Sequence, residues 1–423
     1  MKRIGWVLGR ILDPDNLRLA FWKASRGKRH RADQREWQDS LEERIEELRM
    51  GIENLTYPVG EYRRFTIYEP KEREICAAAF GERVLHHAIM NICEPYFDRW
   101  LVADTFACRK GKGQSAAVDR AAHFARHHEW FMKCDFRKYF DSIPHDGVRR
   151  MLERRFKDPG LLEWFWRIVG AYEKTPGRGV PIGNLTSQHL ANLYLDPLDR
   201  MPRFGCGYVR YMDDFVFWAD RKETLLELRR RVSDFSGETL GLELKREPFI
   251  NRTAAGMEFL GMRIYRSAVY LSRRSRVRYG RKVRACERLF EKGELCEAEL
   301  QRRVTSLTAF VSGADSLVWR RHNLAVREGH RAITGCCAAA AGTTMRRTAA
   351  PRTATGTSPA TATTTTASAS SAPQHRRTEL RAVPAGGRIP CYGTNSSLRP
   401  DASSGAESFR AESISVGGAG QCR

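Results

Sequence analysis

Residues 207–218 read GYVRYMDDFVFW. Two runs of aromatic and β-branched residues flank a short polar centre, which predicts a β-hairpin with Asp213 and Asp214 at its tip. Asp is also ordinary turn chemistry, so the pair alone leaves a structural and a catalytic reading open. Two carboxylates framed by buried strands make an acidic point in a basic chain. A hard divalent cation such as Mg2+, which prefers oxygen ligands, suits that point. A third acid follows another strand-like run: in FMKCDFRKYFDSI (131–143), Asp135 stands directly after Phe131–Cys134. Carboxylates delivered by separate strands are what a two-metal phosphoryl-transfer site requires, with the ions roughly 3.5–4 Å apart. Capping of the following helix is the other use of an Asp at that place.

Composition agrees with a polyanionic partner. The 423 residues carry 72 Lys and Arg against 50 Asp and Glu, a formal charge of +22. A surplus of this size points to nucleic acid first and to a membrane surface second. Residues 331–423 hold 11 Arg, no Lys and four acids, so +15 belongs to residues 1–330. No apolar run approaches the roughly 18–20 residues that span a bilayer. The opening MKRIGWVLGRILDPD has an apolar stretch broken by Gly and Arg and no small-residue cleavage site, so a secretory signal is not expected. The 11 Cys are scattered without a C-x-x-C pair, which fits free thiols in a reducing cytoplasm.

Three regions separate along the chain. Residues 1–60 have a helical pattern, with Trp37, Leu41, Ile45, Leu48 and Ile52 at spacings of three and four. The basic run RGKRHR (26–31) is either a solvated loop or a phosphate contact. Residues 61–330 alternate strand-like RRFTIY with the helical run REICAAAFGERVLHHAIMNICEPYF and then strand-like WFMKCDF, predicting an α+β architecture. His123, His127 and His128 lie on one helical stretch whose i,i+4 spacing offers two usable ligands with no nearby third, which favours solvated or RNA-facing histidines over a metal site. Beyond residue 331 the chain turns to Ala, Thr, Ser, Gly and Arg. Such a segment cannot bury enough apolar surface to offset its ordering entropy, and it is expected to be disordered.

The ordered blocks CDFRKYFDSI, PIGNLTSQHLANLYLDPLDR, RYMDDFVFWAD and GMEFLGMRI resemble the palm motifs of reverse transcriptases. Upstream, FTIYEPKEREICAAAFGERVLHHAI and DTFACRKGKGQSAAVDRAAHF resemble the fingers motifs. The resemblance covers about residues 60–330. It implies a right-hand polymerase: a helical N-terminal extension (1–60), fingers and palm (61–265), a helical thumb (266–330) and a tail (331–423). It implies that Asp135, Asp213 and Asp214, with the Phe136 carbonyl, hold two Mg2+ ions. Phe140 matches the steric gate against a 2′-hydroxyl. Lys71, Arg73 and Arg109 match basic positions that hold the incoming triphosphate, where charge-assisted contacts are strong. Lys245 matches a general acid for pyrophosphate, and Phe259, Leu260 and Gly261 match the primer grip. Template RNA, a primer or cDNA strand, dNTPs and a small basic accessory protein are the partners implied.

Retroviral and group II intron enzymes usually carry Gln-Gly-x-x-x-Ser-Pro in the palm. Here the block runs from Ile182 and Gly183 to Gln188. Ile first and Gln last resembles the reverse transcriptases of diversity-generating retroelements, in which these two positions are associated with misincorporation at template adenines. That membership implies copying of a template repeat into mutated cDNA, known as mutagenic retrohoming. A retron or group-II-like enzyme with another role, such as phage defence, is the alternative. A non-catalytic RNA-binding protein on a polymerase scaffold is a third reading, which the intact acids argue against.

The tail has a reading at the level of nucleotides. Thr codons (ACx) read one base early become xAC, which is Asn when x is A. Applied to AAAAGTTMRR (338–347), that frame permits Arg-Gly-Gly-Ser-Trp-Asn-Asn-Asn-Ala-Pro. Asn-rich text of this kind resembles the variable end of a diversified target protein. The expectation is a reading frame that runs, out of register, through a template repeat. A low-complexity linker or RNA-binding tail is the competing reading. Sequencing the gene decides between them: Asn-rich text in a second frame over residues 338–370 supports the first, and its absence removes it.

Overall fold

The computed structural model describes residues 2–68, 72–203 and 205–320, all within one compact unit. Lys71, residues 321–330 of the expected thumb, and the tail (331–423) lie outside the described residues.

Four helices open the chain: α1 (Leu8–Ile11), α2 (Pro14–Ser25), α3 (Ala32–Asp39) and α4 (Leu41–Glu53). The Asp13 carboxylate caps α2 by accepting from the Asp15 and Asn16 amides, and Pro14 fills the first helical position, where no N–H is needed. The expected apolar stripe is buried at Trp37, Ile45, Leu48 and Ile52. This extension shares one apolar core with the rest of the unit, and Asn16 Nδ2 donates to the Ala88 carbonyl (3.2 Å).

Next come β1 (Tyr62–Ile67), β2 (Arg73–Ala78), α5 (Phe80–Trp100), α6 (Gln114–His127), β3 (Trp130–Cys134), α7 (Tyr139–Ser142), α8 (His145–Glu153) and α9 (Pro159–Gly170). The expectation of helix from residue 73 is corrected here. Arg73–Ala78 is a strand, paired antiparallel with β1 from Ile67↔Arg73 to Tyr62↔Ala78. The Cys76 amide also donates to the Ile182 carbonyl (2.8 Å). Two flanking partners outweigh the helix preference of the Ala run.

The chain continues through α10 (Leu185–Tyr194), α11 (Asp196–Asp199), β4 (Gly207–Tyr211), β5 (Asp214–Ala219), α12 (Lys222–Asp234) and β6 (Phe249–Arg252). It ends with β7 (Met257–Phe259), β8 (Met262–Ile264), β9 (Val269–Leu271), α13 (Arg273–Glu291) and α14 (Glu297–Val311). The central sheet has the order β4-β5-β3-β6, and all its pairs are antiparallel. Its run FVFW is uniformly apolar because both faces are covered. Phe215 and Phe217 enter the core shared with Met132, Cys134 and Tyr208, whereas Val216 and Trp218 enter a second core with Phe131 and Val209. The period of two along a strand sorts neighbours into opposite layers. The right-hand arrangement expected from the sequence is present: an antiparallel α+β palm sheet, a fingers ribbon (β1–β2) and the helical pair α13–α14. No described helix is long and apolar enough to cross a membrane.

A buried polar cluster lies between the fingers ribbon, α5 and the segment entering α10. Glu82 accepts from the Gly60 amide (3.1 Å), and its other oxygen sits 3.5 Å from His86 Nε2 without a hydrogen bond. Among the described residues, the Tyr62 hydroxyl and Asn184 Nδ2 also lack partners. Burial pushes the Glu82 carboxyl up to about 7, against the pull of the Gly60 amide. Burial likewise drops His86 to about 3.

The folded Glu82 carboxyl thus holds its proton more tightly than the unfolded one. Its stabilisation is complete below about pH 4.5 and is lost as pH rises through 7. Glu82→Gln is expected to remove that loss, gaining up to about 3 kcal/mol over the parent at pH 8 and little at pH 4.5. Melting curves of both proteins at pH 4.5, 6 and 8 check it. His86 is common to both proteins and cancels in the comparison.

Candidate active site

The hairpin β4–β5 closes through a two-residue turn, with Tyr211 opposite Asp214. Met212, first in the turn, has φ 58°, a left-handed conformation that costs a non-glycine residue of order 1 kcal/mol or more. Arg210 holds it there. Its guanidinium is fully buried and donates to the Met212 carbonyl (3.0 Å), to Asn192 Oδ1 of α10 (2.8 Å) and to both carboxylate oxygens of Asp199 (2.7 and 2.5 Å). The Tyr208 hydroxyl donates to the same carboxylate (2.6 Å). The Asp199 charge and its hydrogen bonds outweigh burial and hold Arg210 firmly protonated.

Strand pairing assembles the acids. Cys134 pairs with Phe215 at the end of the β3–β5 ladder, so Asp135 and Asp214 stand side by side one step further on. Burial and then the neighbouring Asp135 charge, with Asp214 adding, push the Asp213 carboxyl up to about 6, while Arg73 pulls it down. Three neighbouring carboxylates, one of them raised by its neighbours, form a site short of positive charge. Two lysines supply part of it. Lys245 Nζ lies 2.9 Å from Asp135 Oδ2, and Lys133 Nζ lies 3.1 Å from Asp214 Oδ2. Lys245 reaches its place through the backbone: its amide donates to the Asp135 carbonyl (2.9 Å), and Phe136 bridges Leu244.

Among the described residues, no trio of His, Cys, Asp or Glu forms a ready metal cage, and the His123 and His127 rings meet at a tilt (4.7 Å, 56°). The chemistry of the three acids nevertheless fits a divalent cation, because the donors are hard oxygens whose mutual repulsion shows in the raised Asp213.

The other expected residues divide. The Phe136 ring is buried against Tyr139 and Phe215, leaving its carbonyl, not its side chain, for the site. Phe140 is half-buried at the start of α7, and its carbonyl accepts from the Val180 amide (2.8 Å). The block from Ile182 to Gln188 lies against β2. Gly183 has φ 121°, and a Cβ there would meet the Cys76 carbonyl at 2.9 Å, so a side chain is excluded. The Cys108 thiol donates to Gln188 Oε1 (3.7 Å), linking the block to the segment before α6. Phe259 is buried, and Leu260 and Gly261 form the β7–β8 turn with φ of 49° and 79°, the positive pair of a type I′ hairpin. That turn is pinned by Gln114 Nε2 on the Leu260 carbonyl (2.5 Å) and the Ser272 amide on the Gly261 carbonyl (3.0 Å).

Arg109 is engaged at the end of α5. Its nitrogens donate to Asp98 Oδ1 (2.5 Å), to the Asp98, Val102 and Thr105 carbonyls and to Thr105 Oγ1, and its side chain is buried. In this arrangement it fastens the end of α5 to the following loop.

Arg210, Asp199 and Lys133 were not singled out from the sequence. The signal available was a lone basic residue within an apolar strand, in YVRY and in FMKC.

Residues 70–264 match the family model described as reverse transcriptase (RNA-dependent DNA polymerase). The group II intron-encoded protein LtrA of Lactococcus lactis is 24% identical over 169 residues, 38% of this chain and 28% of that one. The COX1/OXI3 intron 2 protein of Saccharomyces cerevisiae is 26% identical over 149 residues, 33% of this chain and 16% of that one. The chain thus spans less than a third of the length of these curated relatives. Apo telomerase from Candida tropicalis is a structural neighbour at TM-score 0.42 and 12% identity, with 68% of each chain covered.

Removing one member of the Arg210–Asp199 pair leaves the other charge buried and unmatched. Arg210→Met is expected to cost about 3–5 kcal/mol in urea denaturation, several times the effect of Arg137→Met in an exposed ion pair.

Proposed function

We propose that this chain, whose residues 70–264 are a reverse transcriptase domain, is an RNA-directed DNA polymerase. The observation that carries the reading is the placing of Asp135, Asp213 and Asp214 at one end of the central strands of the antiparallel sheet, with Lys245 drawn to the same point. In this reading Asp135, Asp213 and Asp214, with the Phe136 carbonyl, hold two Mg2+ ions. When bound, such ions lower the barrier by stabilising negative charge on the attacking and leaving oxygens. The remaining work belongs to the protein. Arg73, whose charge reaches Asp213, and Lys71 bind the triphosphate of an incoming dNTP. Phe140 fills the volume that a 2′-hydroxyl would occupy. The turn Phe259–Gly261, held from two sides, positions the primer terminus for in-line attack. Lys245 holds a proton at Nζ for the departing pyrophosphate. Arg109 is assigned to fastening its loop rather than to the triphosphate.

The finer reading is a diversity-generating enzyme. It would copy a template-repeat RNA in the cytoplasm, with a small basic accessory protein, and misincorporate at adenines. Support for it comes from Ile182 and Gln188 in the palm block. A group-II-like enzyme with another cellular role is the second reading, favoured by the similarity to intron-encoded proteins.

Primer extension on an RNA template tests both levels. The parent protein is expected to incorporate dNTPs in Mg2+, and Asp213→Ala to lose at least about a hundredfold in rate. Equal incorporation by both would remove the catalytic assignment. Sequenced cDNA should carry its errors opposite template adenines, whereas errors spread over all four bases select the group-II-like reading.

A further inference from the structure

A cavity of about 240 Å³, lined by none of the three acids, lies between the β8–β9 ribbon, the start of α13 and the segment after α14. Its walls include Arg263, Tyr265, Tyr270, Arg276, Asp315 and Trp319. The aromatic groups are arranged rather than scattered. The Tyr265 and Tyr270 rings meet edge to face (5.9 Å, 71°), and Arg263 lies 5.5 Å over the Tyr265 ring. Trp319 packs at 5.8 Å on Tyr279 of α13. Tyr270 remains about half exposed (48%), so its ring is open to a ligand. Asp315 is clamped to the rim, because its amide donates to the Val269 carbonyl (2.7 Å) and its Oδ2 accepts from the Val269 amide (3.0 Å).

Size and charge select the occupant. The volume falls below the roughly 300–1,000 Å³ of sites for drug-sized ligands, so it suits a group no larger than one heterocycle. Arg263 and Arg276 stand at its edge, and α13 continues the positive field with Arg273, Arg274, Arg278, Arg281, Lys282 and Arg284. A planar ring for the aromatic walls, phosphates for the arginines and a hydrogen-bond donor for Asp315 coincide in one ligand class. We propose that this cavity takes a single unstacked base of a nucleic acid strand, with its flanking phosphates on Arg263 and Arg276. Asp315 adds a preference for bases bearing an exocyclic amine, which uracil and thymine lack. The pocket rests on the polymerase reading only for the identity of the strand.

Fluorescence anisotropy of the full chain with labelled 12-mers tests it, using oligocytidine, oligouridine and an abasic strand of equal length, each with a ribose and a deoxyribose backbone. Stacking on an aromatic side chain is worth about 1–3 kcal/mol per base, so Tyr270→Ala should weaken oligocytidine binding by roughly fivefold to a hundredfold. Binding of the abasic strand should stay unchanged, and Tyr270→Phe should restore the parent value. Asp315→Asn should shrink the cytidine-over-uridine ratio with little effect on the abasic strand. Equal losses on base-bearing and abasic strands, or no loss on either, would overturn the pocket. The ribose and deoxyribose arms tell which strand fills it. Primer extension by the parent protein is scored separately, so a polymerase without this pocket, or a pocket without polymerase activity, is recognised as such.

Discussion

The fully buried ion pair between Arg210 and Asp199 carries the acidic hairpin. A guanidinium and a carboxylate taken out of water each cost several kcal/mol, and their attraction offsets this only when their remaining hydrogen-bonding groups are satisfied. Here they are. Asp199 accepts from Arg210 and Tyr208, and Arg210 reaches Asn192 and the Met212 carbonyl besides. One side chain thereby ties α10 and α11 to the strand that ends in the acids. The Arg210 backbone extends the link, accepting from the Phe106 amide (3.0 Å) and donating to the Asp104 carbonyl (2.9 Å). The strained turn at Met212 persists because its surroundings over-determine it.

That rigidity has an electrostatic counterpart. Asp135 and Asp214 are brought together by strand register, and Asp213 precedes Asp214 in the turn. Burial first, and then the like charges of its neighbours, raise the Asp213 carboxyl toward neutrality. Lys133 and Lys245 moderate the repulsion, and Lys133 also donates to the Glu258 carbonyl (2.8 Å), joining the site to the β7–β8 ribbon. Other non-glycine residues with positive φ recur around the same region: Cys108 beside Gln188, Lys138 before α7, and Leu260 in the expected primer grip.

Much of this was legible in the residues themselves. The GYVRYMDDFVFW hairpin, the strand before Asp135 and the stripe of Trp37, Ile45, Leu48 and Ile52 are local signals, because side-chain periodicity and turn chemistry act within a few residues. The charge surplus and the order of the motif blocks likewise need no coordinates. The misreading of Arg73–Ala78 shows the boundary. An Ala-containing run is helical by preference, and only its partners in β1 and at Ile182, far away in sequence, make it a strand.

What tertiary structure alone decided are the contacts between distant positions. Lys245 meets Asp135 across 110 residues and Lys133 meets Asp214 across 81. Arg210 reads in sequence as one more basic residue, and its burial against Asp199 follows from the packing of α11 beneath the sheet. The sequence by itself determined which chemical groups are present and which local elements carry them. The pairing of charges in a low-dielectric interior depends on which segments the folded chain makes neighbours, and no local pattern encodes that.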